Sequence, residues 1–221
     1  VVMWDKATGG FYNLVNRQCK DQSNPKVPKE AYGNAFAIYG LAAYYKASRD
    51  TGAISRAKKG FLWLEKHSHD SVYKGYYQHL QMDGTPVVRD SSVPSNADIG
   101  YKDQNSSIHL LEALTELYSA WPDPLVRERL QEMLYLIRDT ITTKKGYLTL
   151  FFKPDWTPIS FKDSSKDCVL KHKSLDHVSF GHDIETAYLM LEASHALGYK
   201  HDTEPSIVGQ RRVDHDLRNG W

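Results

Sequence analysis

A short mark of glycine and aromatic residues recurs along the chain with long helical patterns between its copies, and that spacing constrains the fold more than any other feature. The marks are Gly9-Gly10-Phe11-Tyr12, Gly75-Tyr76-Tyr77 and Gly146-Tyr147-Leu148. Each leads into a strand-like run and then a polar turn. The turns are Met82-Asp83-Gly84-Thr85-Pro86 after the second mark and Lys153-Pro154-Asp155-Trp156-Thr157-Pro158 after the third. Gly10 and Gly75 are 65 residues apart, and Gly75 and Gly146 are 71 apart. A period of that length, holding two helices and a short hairpin, predicts an array of helical hairpins. Such units bury their apolar faces only by stacking. An array that closes on itself becomes an all-α toroid with a central cavity. Its short β-hairpins gather at one rim, where loops carry function.

The helical patterns are legible one by one. Lys29 to Ser48 carries Phe36, Tyr39, Leu41 and Tyr44 near helical spacing, with Pro28 suited to a first turn. Ala53 to His67 repeats the pattern, and Ser107 to Ser119 offers Ile108, Leu111, Leu114 and Tyr118. Asp123-Pro124 reads as a cap followed by proline at the first helical position, ahead of Leu125, Leu130, Met133, Leu134, Ile137 and Ile141. Asp183 to Leu197 is the last clear helix, closed by Gly198. Another mark begins at Asn219-Gly220-Trp221, and the chain opens on Val1 rather than methionine. Both ends are therefore expected to be cut inside a repeat. A closed ring of six hairpins needs roughly 400 residues at this period. The 221 residues are expected to form a single domain that is part of such an (α/α)6 barrel.

Composition excludes some functions. A net charge of +1 gives no bulk attraction to nucleic acid or to an anionic membrane surface. No window approaches the ~18 consecutive apolar residues of a membrane span. With no signal peptide visible, and with Cys19 and Cys168 read as unrelated thiols in a reducing compartment, the expected location is the cytoplasm. The excess is aromatic, 14 Tyr and 5 Trp. These residues serve core and hairpin packing, or a sugar site in which flat rings stack on the C–H faces of pyranoses.

Two segments carry candidate chemistry. In Asn105-Ser106-Ser107-Ile108-His109, Asn105 and His109 are four apart and share one side of a helix start. Asn105 as a cap and His109 as a satisfied buried histidine is the plain alternative. In Gly181-His182-Asp183-Ile184-Glu185, the glycine allows a tight approach into a helix. The carboxylate of Glu185 lies on the same face as the imidazole of His182, an arrangement that tunes a general acid/base. A capping arrangement, with Asp183 at the cap, fits the same spacing. Cys168, His172, His177 and His182 share a polar stretch, but their spacings match no common zinc pattern. No nucleotide-binding glycine loop is visible either, so neither metal nor cofactor is expected.

Taken together, several segments resemble the family of N-acylglucosamine 2-epimerases and cellobiose 2-epimerases. They are Tyr32-Gly33-Asn34-Ala35-Phe36-Ala37-Ile38-Tyr39, His109-Leu110-Leu111-Glu112-Ala113, Trp121-Pro122-Asp123, Asp155-Trp156-Thr157-Pro158 and Gly181-His182-Asp183-Ile184-Glu185. The resemblance spans about Trp4 to Leu197 and implies an (α/α)6 barrel. It also implies a reaction at C2 of a reducing-end sugar. A histidine takes the C2 proton, a cis-enediolate forms, and a second histidine returns the proton to the other face. By that resemblance His182 is one acid/base histidine, Glu185 orients it or meets sugar hydroxyls, and His109 with Asn105 supports the reacting oxygens. Tyr32 and Phe36 line the pocket, as does Tyr188, which stands where the family usually has tryptophan. The family's polarising arginine and second catalytic histidine are expected before Val1 and beyond Trp221. The partners expected are a small sugar and, as one option, a second copy in a homodimer. Another α/α-barrel enzyme, a glycoside hydrolase or lyase, and a non-catalytic carbohydrate-binding scaffold remain the rival readings.

Overall fold

The computed structural model, which describes residues 2–199 and 204–220, consists of three successive helical hairpins. The first pairs α1 (Ala31–Ser48) with α2 (Thr51–His67). The second pairs α3 (Gln104–Ala120) with α4 (Pro124–Leu136), which runs on into a π-helical turn at Ile137–Ile141. A six-residue helix, α5 (Lys166–Lys171), precedes the third hairpin, α6 (Phe180–Ala196) with α7 (Glu204–Asn219). Helices α1, α3 and α6 pack side by side as an inner row, and α2, α4 and α7 each pack outside their own inner partner. The core lies between the rows, with Ile38, Phe61, Leu64, Leu111, Leu117, Leu134 and Met190 among its buried members.

Local chemistry sets the helix starts. Asp50, Asp103 and Asp123 each accept a backbone N–H of the first turn, from Gly52, Ser106 and Leu125. This satisfies donors that no helix can satisfy internally. Helix α1 begins at Ala31 rather than Lys29, because Lys29–Glu30 forms a strand, β1, that pairs antiparallel with β2 (His79–Leu80) of the next unit. Likewise β3 (Lys102–Asp103) pairs with β4 (Phe151–Phe152). The first two inner helices are thus stitched at the rim to the unit that follows. The cap of α3 is Asp103 and not Asn105, which leaves the Asn105 side chain unspent on capping. The residue before α6 is Ser179, so Asp183 lies inside the helix.

The glycine marks close the rim loops, through isolated bridges Trp4 to Phe11, His69 to Tyr76 and Thr142 to Leu148. Gly75 has φ +67, and a Cβ there would lie 2.5 Å from the Trp156 ring, so both backbone and space require glycine. The mark expected at Gly220-Trp221 reaches outside the described residues at Trp221. The polar stretch Lys162 to Leu175 contains α5, capped by Ser165. Helix α7 has no counterpart in the sequence reading. Its buried face is Pro205, Val208, Gly209, Arg212 and Asp216, a helical spacing partly written in charged residues, which apolar periodicity does not detect.

Two buried lysines repeat one device. Lys29 Nζ lies 2.8 Å from Asp5 Oδ2 and over the Trp63 ring. Lys102 Nζ lies 2.8 Å from Asp70 Oδ2 and over the Trp156 ring. In both units the indole N–H donates to a carbonyl of the rim loop, Thr8 O for Trp63 and Tyr73 O for Trp156. Each loop is locked to its hairpin by an ion pair shielded from water.

Candidate active site

The inner helices place corresponding residues on one concave surface. Counted from the residue before each helix (Glu30, Asp103 and Ser179), the fourth residue is Asn34, Ser107 or Asp183. Asn34 and Asp183 do the same job: each accepts the amide of a rim residue, Phe11 at 2.9 Å and Leu148 at 2.8 Å. In this register Tyr32, Asn105 and Gly181 correspond, and so do Phe36, His109 and Glu185. The second set lies four residues beyond the first, one turn along the same face. Gly181 has an ordinary backbone, and no atom lies within 4 Å of where its Cβ would be. Its role is therefore open space beside the site rather than a tight turn.

His109, Tyr32 and Phe36 converge. The His109 ring is 5.3 Å from Tyr32, edge-on, and 4.7 Å from Phe36, while the two aromatic rings are 4.9 Å apart. His109 is buried and its Nδ1 lies 3.0 Å from Glu112 Oε2. Tyr32 and Phe36 border an open cavity of about 430 Å³ with Tyr12 and Asn13.

His182 and Asn105 face a neighbouring cavity of about 200 Å³, with Gln104, Phe151, His177 and Ser179. His182 Nδ1 is 2.9 Å from Gln104 Nε2 and 3.1 Å from Ser179 Oγ. Burial holds the imidazole below its ordinary pKa. The carboxylate of Glu185 opposes this, and His109 and His177 add to it. Glu185 is half-buried, and among the described residues its carboxylate takes no hydrogen bond, so it is not spent on capping. The charge of His109 thus bears on His182 across the inner face, and Glu185 stands one turn from His182. Tyr188 lies apart: it is 61% exposed and borders a smaller pocket with Tyr39, Glu112 and Glu192, further along the helices.

Sequence reasoning missed the partners. Glu112 is three residues from His109 and could have been read from helical spacing. Gln104 and Ser179 are ordinary helix-start residues whose meeting with His182 no local pattern encodes. Glu30 was missed as well. Its carboxyl is pushed up to about 7 by burial, against a hydrogen bond with Asn13, with Asp98 and Asp103 pushing the same way as burial. The folded state therefore keeps a proton that the unfolded chain gives up near 4.5, so stability falls as pH rises between those values. Glu30→Gln, which mimics the protonated form, is expected to raise the Tm clearly at pH 8 and hardly at pH 5. An equal gain at both pH values would contradict a buried, titrating Glu30.

Cys168 Sγ is 3.5 Å from His172 Nδ1, but His177 Nδ1 is turned onto Lys173 O, so the four sulfur and imidazole groups of this stretch do not form one ligand set. Among the described residues, Asp183, His215 and Asp216 bring three ligand-type atoms within 4.8 Å. The fully buried Arg212 carries a positive charge close enough to both carboxylates to act on them, while its Nε and Nη1 take no hydrogen bond.

A sequence model of the N-acylglucosamine 2-epimerase (GlcNAc 2-epimerase) family matches residues 1–221. A cellobiose 2-epimerase of Bacteroides fragilis is 31% identical over 196 residues, covering 88% of this chain and 45% of the relative. One of Ruminococcus albus is 31% identical over 216 residues, covering 97% and 50%. The structure of cellobiose 2-epimerase from Spirochaeta thermophila superimposes with a TM-score of 0.81 at 29% identity, covering 98% of this chain and 50% of that one. The chain spans about half the length of the curated relatives it matches. Its hairpin array is part of an (α/α)6 barrel, the fold of those epimerases.

Proposed function

The chain belongs to the N-acylglucosamine 2-epimerase family, and we propose that the protein inverts C2 of a reducing-end sugar, such as the glucose or mannose end of a cellobiose-type disaccharide or an N-acylglucosamine. One observation carries this reading. The His182 imidazole, kept neutral by burial, faces a cavity with Asn105 while Glu185 and His109 act on it from the same inner surface. A C2 proton beside a carbonyl is weakly acidic, so its removal needs a neutral base at the operating pH and a polar environment for the enediolate oxygen. His182 is the proposed base, and Glu185 balances the charge the ring gains. His109, oriented by Glu112, and Asn105 are the proposed donors to the enediolate oxygens. Tyr32 and Phe36 offer apolar faces to the pyranose, and Tyr188 meets the sugar further along the inner surface. No cofactor enters this chemistry.

Residues 1–221 are read as one α/α domain. Among the described residues no helix is long and apolar enough to cross a membrane. A cytoplasmic location is proposed on the strength of two free cysteines, Cys19 and Cys168. The test is incubation of the full-length protein with cellobiose in D2O. An epimerase introduces deuterium at C2 and yields the mannose-ended epimer. Release of free glucose would instead indicate a hydrolase, and binding without either product a non-catalytic scaffold.

A further inference from the structure

Gln104 is nearly fully buried at 4% exposure, yet its Oε1 has no hydrogen-bond partner, while its Nε2 is 2.9 Å from His182 Nδ1. A buried amide that leaves one of its two polar atoms unsatisfied loses the hydrogen bond that water would supply in the unfolded chain. The side chain is held there by its position as the first residue of α3, facing the first turn of α6. His182 Nε2, by contrast, makes no hydrogen bond among the described residues, and the ring borders the cavity.

We propose that Gln104 is a positioning residue for His182, an amide that turns over to match the proton count of the imidazole. This rests on His182 being the acid/base group. A neutral imidazole takes a proton at Nε2 only if its existing proton is on Nδ1. With Gln104 Nε2 donating to Nδ1, the ring carries its proton on Nε2 and has no lone pair to offer the cavity. Turning the amide over brings Oε1 against Nδ1, where it accepts Nδ1–H and frees the Nε2 lone pair. The recorded orientation leaves Oε1 unsatisfied, so little holds the amide in it and the amide follows the ring. Ser179 Oγ, 3.1 Å from the same nitrogen, donates or accepts by rotating its hydroxyl.

In the second orientation the step balances. The C2–H bond breaks, its electron pair becomes the enediolate double bond with charge on O1, and the proton forms an Nε2–H bond. The imidazolium then donates Nδ1–H to a neutral amide oxygen. A carboxylate in that place would bind the proton too tightly to return it near neutral pH. The other titratable groups acting on the ring are Glu185 on its own helix, His109 on α3, and His177 on the segment before α6.

Gln104→Met and Gln104→Glu in the full-length protein test this, with C2 deuterium exchange on cellobiose followed against pH. Gln104→Met, close in size and unable to accept Nδ1–H, is expected to lower kcat about tenfold or more with KM changed less than about twofold. Gln104→Glu is expected to move the acid limb of kcat/KM upward by about one pH unit. It should also retain more turnover than Gln104→Met at high pH, because it restores an acceptor. If both variants keep the wild-type kcat and acid limb while His182→Asn abolishes exchange, Gln104 only fills space and the proposal falls. Turnover lost in proportion to Tm, with no movement of the acid limb, also overturns it. If His182→Asn itself exchanges normally, the reading beneath the proposal fails first. Should Gln104→Met not fold, the acid limb of Gln104→Glu decides the matter.

Discussion

His182→Asn in the full-length protein is expected to lower C2 deuterium exchange by about 10²–10⁴-fold, the usual contribution of one positioned acid/base group. Sugar binding should be largely retained. Asparagine keeps a polar side chain of similar reach, so the 200 Å³ cavity and the Gln104 and Ser179 contacts lose little shape. The loss should therefore appear in kcat, with KM little changed. His109→Asn should lose less, since His109 is proposed to support the enediolate and not to carry the proton. Exchange of a deuterated sugar into solvent, read by NMR, measures both. Near-normal turnover in His182→Asn would remove His182 from the chemistry.

The largest stability effect is expected from the buried pair of the second rim loop. In Asp70→Ala, Lys102 Nζ would keep only the Lys74 carbonyl at 2.9 Å and the faces of Trp156 and Tyr77. An ammonium left uncompensated at a fully buried site destabilises by about 3–5 kcal/mol. Asp70 also accepts the amides of Val72 and Tyr73, so its removal loosens the loop as well. Lys102→Met should be milder. The freed carboxylate keeps those two amides, and the methionine stem fills much of the lysine volume. The double variant should lose less than the sum of the two, because no unpaired charge then remains. Urea midpoints of the three variants measure this. Asp70→Ala within about 1 kcal/mol of the parent would mean that water reaches the lysine.

The pair also separates what was legible in sequence from what was not. The hairpin period, the cap at Asp123 and the stop at Gly198 were readable because each depends on residues a few positions apart. Asn105 with His109, and His182 with Glu185, were readable for the same reason: helical spacing alone puts each pair on one face. Helix α7 escaped because Arg212 and Asp216 occupy part of its buried face. Tyr188, given to the sugar by family likeness, borders a different pocket from His182, and no local pattern tells which pocket it lines.

By itself the sequence determined that the chain is a stack of helical hairpins with its polar chemistry at the starts of the inner helices, because local period and capping decide those features. The tertiary structure alone decided which groups meet. Gln104 reaches His182 across 78 residues, Lys102 reaches Asp70 across 32, and His109 lies between Tyr32 and Phe36 of another helix. Such meetings depend on the register in which α1, α3 and α6 pack, and that register is set by the sum of core contacts and rim strand pairs rather than by any local run. The same packing pushed the carboxyls of Glu30 and Asp103 up to about 7 and about 6. Burial is a property of the assembled rim, and an isolated glutamate or aspartate in a sequence does not reveal it.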